Sequence, residues 1–206
     1  MAGPGRGMPR GGGSGRGGRN QFRHAVQAGQ LAQPGRQARH GKLLAGGHSL
    51  IPAMKLRLQS PRTLIDLGTV AGLRGIRLDN NELVIGALTV HSDVAASDLV
   101  RKHLPGLAEA ASLIGDMQVR NRGTIGGSVA HADPGADFPV ILTALNAAFV
   151  VQSKAGTRII SVDDFFTDFF TTAMNANEIL TEIHVPLPGA ASGSAYTKLP
   201  HPASGY

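Results

Sequence analysis

The sequence contains no cysteine and no tryptophan among its 206 residues. Without cysteine, this chain can form no disulfide, no thiolate zinc site and no cysteine-ligated iron–sulfur cluster, and it has no cysteine nucleophile. It also lacks any run of eighteen apolar residues, so the sequence predicts no integral membrane segment. The hydrophobic fraction of 42% instead fits a globular protein with one domain or two small ones.

Acidic residues are missing from the start of the chain, where the first one is Asp66. Residues 1–42 carry eight of the 20 basic residues and 12 of the 28 glycines. Residues 43–206 carry 12 basic and 14 acidic residues, so their net charge is −2, whereas the whole chain has +6. An argument for nucleic-acid binding from positive charge therefore applies to the N-terminal segment alone.

Residues 1–41 show neither helical nor alternating apolar periodicity, and their Gly/Arg-rich composition predicts disorder. Two RGG triplets, at 10–12 and 16–18, suit an arm whose arginines contact phosphate and stack on bases. A targeting peptide is a second interpretation, although the segment has no apolar core and no clear amphipathic helix. We favour a third interpretation, in which a misplaced start or a reading-frame slip makes residues 1–41 non-native coding sequence.

From about Lys42 onwards the sequence predicts an α+β body. A small βαβ-like unit comes first, and a mostly antiparallel sheet with helices follows. Within this body the sequence predicts a hairpin turn at 79–81, a helix capped by Thr89, and a strand at 194–199. Residues 115–139 are rich in Gly, Asp and Pro, which predicts a long loop of functional importance.

Two glycine turns stand out as candidate binding elements. Glycine lets the backbone approach a ligand closely because it has no Cβ. Successive N–H groups in such a turn form a nest for an anion, and serine or threonine hydroxyls can donate to phosphate oxygens. A pair of such turns suits a diphosphate, although two ordinary tight turns are the alternative. The turns are Ala45-Gly46-Gly47-His48-Ser49 and Gly123-Thr124-Ile125-Gly126-Gly127-Ser128.

Four segments in order carry a resemblance to a known family. They are residues 45–52 (AGGHSLIP), 118–128 (QVRNRGTIGGS), 132–137 (ADPGAD) and 198–206 (KLPHPASGY). The sequence from about residue 42 to the end resembles the FAD-binding medium subunits of molybdenum hydroxylases, which include carbon monoxide dehydrogenase and xanthine dehydrogenase. The resemblance implies an α+β, two-subdomain FAD-binding domain of the vanillyl-alcohol-oxidase-like type. It places the subdomains at about 42–98 and 99–206, with the family's C-terminal domain absent.

The resemblance also implies which residues bind the cofactor. Both glycine turns are expected to hold the pyrophosphate through backbone N–H groups. Asp137 is expected to contact FAD, Leu180 to pack near it, Lys198 to lie near the flavin, and Tyr206 to lie against the isoalloxazine ring. No catalytic residue and no metal ligand is expected. The complete implied cofactor-binding set is Ala45, Gly46, Gly47, His48, Ser49, Thr124, Ile125, Gly126, Gly127, Ser128, Asp137, Leu180, Lys198 and Tyr206.

The implied activity is that of an oxidoreductase component, which passes electrons through FAD to an external acceptor. The implied partners are a large subunit with the molybdenum cofactor and a small subunit with the 2Fe–2S clusters, in a dimer of heterotrimers. We expect this complex in the cytoplasm, with the inner face of the membrane as an alternative location. Two other functions compete, namely nucleic-acid binding through the RGG segment and an inactive flavoprotein fragment.

The sequence alone allows more than one interpretation of three further features. His48 is expected either to orient a phosphate or to be a hydrogen-bonded turn residue. The phenylalanines at 165, 166, 169 and 170 fit a packed loop or a partner contact better than an aromatic cofactor box. Asp133 and Asp137 have no third close ligand in sequence, which argues against a metal site.

Overall fold

The structure, a computed structural model, describes residues 41–189, 191–199 and 202–203. The predictions for residues 1–40 and for Tyr206 fall outside these residues. The strands are β1 (Lys42–Leu44), β2 (Leu64–Asp66), β3 (Ile76–Asp79), β4 (Glu82–Gly86), β5 (Ala148–Ser153), β6 (Gly156–Ser161), β7 (Phe166–Asp168), β8 (Thr171–Thr172) and β9 (Ile179–Pro186). The helices are α1 (Leu50–Lys55), α2 (His91–Ala96), α3 (Asp98–His103), α4 (Pro105–Ser112), α5 (Met117–Arg120), α6 (Ile125–His131), α7 (Asp137–Ala144) and α8 (Val162–Phe165).

The predicted βαβ unit is present at the start of the described chain. Strands β1 and β2 pair in parallel, with Leu43 opposite Ile65, and α1 lies in the crossover between them. Parallel strands require such a crossover because a tight hairpin can join only antiparallel ones. The first glycine turn therefore lies between the end of β1 and the start of α1. A small apolar cluster of Leu67, Val70, Leu73, Leu88 and Ile179 packs beside this unit.

A five-stranded antiparallel sheet in the order β3-β4-β9-β5-β6 forms the rest of the framework. Its central strands are buried, and helices α2, α4, α6 and α7 contribute side chains to the same core. The sheet crosses the subdomain boundary expected at 98–99, because β4 pairs with β9 and Ile85 lies opposite Ile183. The α+β class is confirmed, and the described chain divides into the βαβ unit and this larger layer of sheet and helices.

The hairpin turn at 79–81 is present, and Asn80 and Asn81 both have positive φ (44° and 71°). Asparagine tolerates this left-handed region better than most side chains, which is why the turn was visible in the sequence. The helix cap assigned to Thr89 is wrong, because α2 begins after Val90. The Thr89 hydroxyl instead donates to the carbonyl oxygen of Gly75 at 3.2 Å and accepts its N–H at 3.0 Å.

The long loop predicted at 115–139 contains α5, α6 and the start of α7. Asp116, one of the residues that suggested a loop, caps α5 instead, because its carboxylate accepts from Val119 N. The Thr124 hydroxyl caps α6 by accepting from Gly127 N. The strand predicted at 194–199 is also wrong, since the described residues there have no regular secondary structure. Side chains from that segment reach the start of α7 instead.

We expect Phe149→Ala to lower the free energy of unfolding by about 3–5 kcal/mol, because the ring is fully buried against Phe165. The matched control is Phe169→Ala, which removes a ring that is 73% exposed and should change stability by less than about 0.5 kcal/mol. Urea unfolding followed by circular dichroism measures both. Equal losses in the two variants would contradict the assignment of the core.

Candidate functional site

A cleft of about 270 Å³ lies between the βαβ unit and helix α6. Residues 45–49 line one side of it. The other side is lined by Gly123, Thr124, Gly126, Gly127 and Ser128. The structure therefore brings together the two glycine turns, which are more than seventy residues apart in the sequence. Ile125, the remaining member of the second turn, points into the core and is fully buried.

The two turns touch through their backbones. A Cβ added at Gly46 would collide with the carbonyl oxygen of Arg122 and lie 2.8 Å from the Cα of Gly123. A Cβ added at Gly126 would lie 2.6 Å from the carbonyl oxygen of Ala87. These glycines are therefore required by close packing of protein backbone, in addition to any approach of a ligand that the sequence suggested.

The first turn has backbone donors that no described group uses. Within residues 41–189, 191–199 and 202–203, no hydrogen bond has the N–H of Gly46, Gly47, His48 or Ser49 as its donor. His48 and Ser49 are exposed, and the Ser49 side chain does not cap α1. Gly47, with a left-handed φ of +79°, turns the chain immediately before these two residues. Such a run of free N–H groups at the wall of a cleft fits an anion.

The second turn differs, because the N–H groups of Gly123 and of residues 125–128 already donate inside the protein, and only that of Thr124 has no acceptor among the described residues. Helix α6 has no free N–H among its first residues to offer a ligand through the backbone. The N–H nest that the sequence predicted at both turns is therefore found, among the described residues, only at the first. The bonds run from Ile125 N to Thr89 O (3.0 Å), from Gly126 N to Ala87 O (2.9 Å), from Gly127 N to Thr124 Oγ1 (3.1 Å) and from Ser128 N to Thr124 O (3.1 Å).

Apolar and amide side chains form the remainder of the cleft. Leu180, on β9, lines it with only 6% of its surface exposed, and Met174 lies beside it. Gln59 also lines the cleft, and its Oε1 is buried without a hydrogen-bond partner among the described residues. A buried acceptor without a partner is costly, which suits contact with a ligand hydroxyl or a water molecule.

The structure joins Asp137 and Lys198, but neither lines the cleft. Asp137 is buried at the first position of α7, and its Oδ2 accepts from Lys198 Nζ at 3.0 Å. Its Oδ1 accepts from the Tyr196 hydroxyl at 2.8 Å. Burial and this carboxylate raise the pKa of Tyr196 to about 12. Sequence reasoning missed Tyr196, whose only signal was its position two residues before Lys198.

His91 is a second residue that sequence reasoning missed. It is 5% exposed, and its Nδ1 is buried without a hydrogen-bond partner among the described residues. Burial lowers the pKa of His91 to about 4; His48 and Arg120 lower it further, and the carboxylate of Asp137 opposes them. The ring is therefore neutral at physiological pH. A lone histidine beside an apolar stretch carried no signal that could have identified it.

The phenylalanines at 165–170 divide into two groups. Phe165 and Phe166 pack on Phe149 in the core, with ring centroids 4.2 and 5.8 Å from it. Phe169 and Phe170 are exposed, and the Phe170 ring lies 5.2 Å from that of His131, which lines the cleft. The packed-loop interpretation thus describes the first two rings. In the described part of the chain, no group of three or more His, Asp or Glu side chains could hold a metal ion.

Comparison with known proteins decides the family. The profile of the FAD-binding domain in molybdopterin dehydrogenases matches residues 20–188. The chain belongs to this family. The carbon monoxide dehydrogenase medium chain of Hydrogenophaga pseudoflava is 48% identical over 169 residues, which are 82% of this chain and 59% of that relative. The xanthine dehydrogenase FAD-binding subunit of Escherichia coli O157:H7 is 31% identical over 76% of this chain and 54% of its own length.

A solved structure agrees with the family assignment. It is carbon monoxide dehydrogenase from H. pseudoflava that lacks the Mo-pyranopterin moiety of the molybdenum cofactor. The likeness has a TM-score of 0.82 at 47% identity and covers 89% of this chain and 62% of that one. The resemblance, the fold and FAD as the family's cofactor are thereby confirmed.

Two further facts follow from the matched ranges. The family match begins at residue 20, earlier than the start near residue 42 that the resemblance suggested. The chain spans 59% and 54% of the length of these two curated relatives.

None of the helices in the described part of the chain has the length and apolar character that a membrane span requires.

The lowered pKa of His91 predicts a pH-dependent stability. The group has a pKa of about 4 when folded and 6.5 when unfolded, so the unfolded state binds the proton first as pH falls. Its contribution is complete above pH 6.5 and is lost towards pH 4, which amounts to about 2 kcal/mol between pH 7 and pH 5. Urea unfolding at several pH values measures it. The variant His91→Leu should lack this slope, and an identical slope in both proteins would contradict the prediction.

Proposed function

We propose that this chain is the FAD-binding portion of a molybdenum hydroxylase and holds the diphosphate of FAD at its first glycine turn. The observation that carries the proposal is the set of free N–H groups at residues 46–49, which line a cleft in a chain of the FAD-binding family. The cleft volume of about 270 Å³ is below the roughly 300–1,000 Å³ of pockets that enclose a whole ligand. It fits one part of an extended dinucleotide.

The residues that line the cleft, and Lys198 outside it, then have specific roles. The first turn donates N–H groups to the phosphate oxygens, and the Ser128 hydroxyl adds a donor from the opposite wall. His48 forms no hydrogen bond with a described residue, which favours phosphate orientation over the alternative of a hydrogen-bonded turn residue. Leu180 supplies an apolar contact, and Lys198, held by Asp137, supplies a cation near the flavin.

The proposed redox role rests on the FAD-binding family to which the chain belongs. Bound FAD supplies reversible electron uptake, so the chain links electron donors in partner subunits with an external acceptor. The donors are a molybdenum-binding large subunit and a small subunit with 2Fe–2S clusters, because this chain has no thiolate to ligate a cluster. The relatives' names as medium chains and subunits support a multi-subunit assembly. We further propose a dimer of heterotrimers located in the cytoplasm.

We expect the purified 206-residue chain to retain FAD after incubation and desalting, with both visible flavin bands in its absorption spectrum. Circular dichroism confirms that the sample is folded. A folded chain without retained flavin would contradict the proposal.

A matched pair of variants tests whether the first turn carries the binding. Gly47 and Gly72 both have positive φ, at +79° and +85°, so alanine strains the backbone in both. An added Cβ at Gly47 would also lie 2.7 Å from Ile51 Cδ1, whereas the one at Gly72 has nothing within 4 Å. Gly47→Ala should lose most of the retained flavin and Gly72→Ala should keep it. Equal retention in both would place the diphosphate elsewhere.

A further inference from the structure

We propose that His91 is a positioning residue for the FAD site: its buried ring holds Gly123 against Gly46 and so fixes the first turn. The inference rests on the proposed function, because the quantity it controls is FAD affinity. It concerns a residue that does not line the cleft and that touches the second turn at Gly123. Three contacts carry it: His91 with Gly123, Gly46 with the backbone of Arg122 and Gly123, and His91 with Phe138.

The first contact joins His91 to the second turn. The His91 N–H donates to the carbonyl oxygen of Gly123 at 3.0 Å. The edge of the ring lies on the same glycine, since a Cβ added there would collide with Nε2 and lie 2.8 Å from Cδ2. Gly123 is thus held by a hydrogen bond from the His91 backbone and by van der Waals contact with the His91 ring.

The second contact links Gly123 to the first turn. Gly46 packs on the carbonyl oxygen of Arg122 and on the Cα of Gly123, with no room for a Cβ between them. Close-packed groups of this kind transmit a displacement because they cannot absorb it. A shift of Gly123 towards the space of the His91 ring would therefore change where the free N–H groups of the first turn point.

The third contact joins His91 to Phe138 of helix α7. His91 and Phe138 meet edge to face, with centroids 5.1 Å apart and planes at 62°. Phe138 is fully buried and follows Asp137, the residue that holds Lys198 and Tyr196. The ring of His91 therefore contacts Gly123 of the second turn and Phe138, the residue that follows Asp137.

Packing holds this ring in place, rather than hydrogen bonds. In the described part of the chain neither ring nitrogen has a hydrogen-bond partner, and Nδ1 is completely buried. The ring therefore acts as a spacer whose volume matters more than its polarity. This property separates the inference from a role in proton transfer or in direct binding of the cofactor.

The test is a double-mutant cycle on the dissociation constant for FAD, measured by flavin fluorescence on the full chain. His91→Ala removes the spacer, and Gly123→Ala adds a methyl group that collides with it; each should raise the Kd at least about tenfold. In the double variant the added methyl group occupies the space that the ring left. Its Kd should therefore be well below the value expected if the two effects multiplied.

Three controls separate positioning from general loss of stability. His91→Leu keeps a similar volume without either nitrogen and should bind FAD like the wild type. Val94→Ala removes a fully buried side chain from the same helix and should lower the melting temperature while leaving the Kd unchanged. If His91→Ala fails to fold, the inference still requires a raised Kd in Gly123→Ala and a wild-type Kd in His91→Leu.

The outcomes that overturn the inference differ from those that overturn the proposed function. Wild-type protein that binds no FAD would overturn the proposed function and the inference with it. Wild-type binding together with single effects that simply multiply, or with an unchanged Kd in folded His91→Ala, would overturn the inference alone. A raised Kd in Val94→Ala that follows its melting temperature would also overturn it.

Discussion

The contact between Gly46 and the backbone of Arg122 and Gly123 is the constraint on which the rest of the site depends. It joins two turns that belong to different layers of the fold, the βαβ unit and the sheet with its helices. Because a Cβ would not fit, only glycine at position 46 allows the two backbones to meet.

The two turns resemble each other in sequence but have different physical tasks. The second turn donates most of its N–H groups to protein acceptors, which include the carbonyl oxygens of Ala87 and Thr89 and the Thr124 hydroxyl that caps α6. The first turn packs on the second, and the N–H groups of residues 46–49 have no acceptor among the described residues. A site that must bind an anion without rearranging needs both kinds of turn, since free donors are useful only where something else fixes them.

Local chemistry made the turns, the βαβ unit and the hairpin at 79–81 predictable from the sequence. Glycine pairs, an Asn-Asn turn and short apolar runs each act over a few residues. The same local reasoning misassigned residues 115–139, because Asp116 and Thr124 favour both loops and helix caps. Contacts between distant segments gave no signal: His91 meets Gly123 across 32 residues, and Tyr196 meets Asp137 across 59 residues.

The Asp137–Lys198 pair shows how a satisfied group can still contribute to a binding site. Lys198 donates to Asp137 and to the carbonyl oxygen of Leu113, at 3.0 and 3.3 Å. An ammonium group has three donors, so one is left over. A cofactor oxygen can therefore take that third donor without breaking the ion pair, and Asp137 keeps the cation in place meanwhile. Among the described residues, the first turn has N–H groups without an acceptor, whereas Lys198 uses two of its three donors.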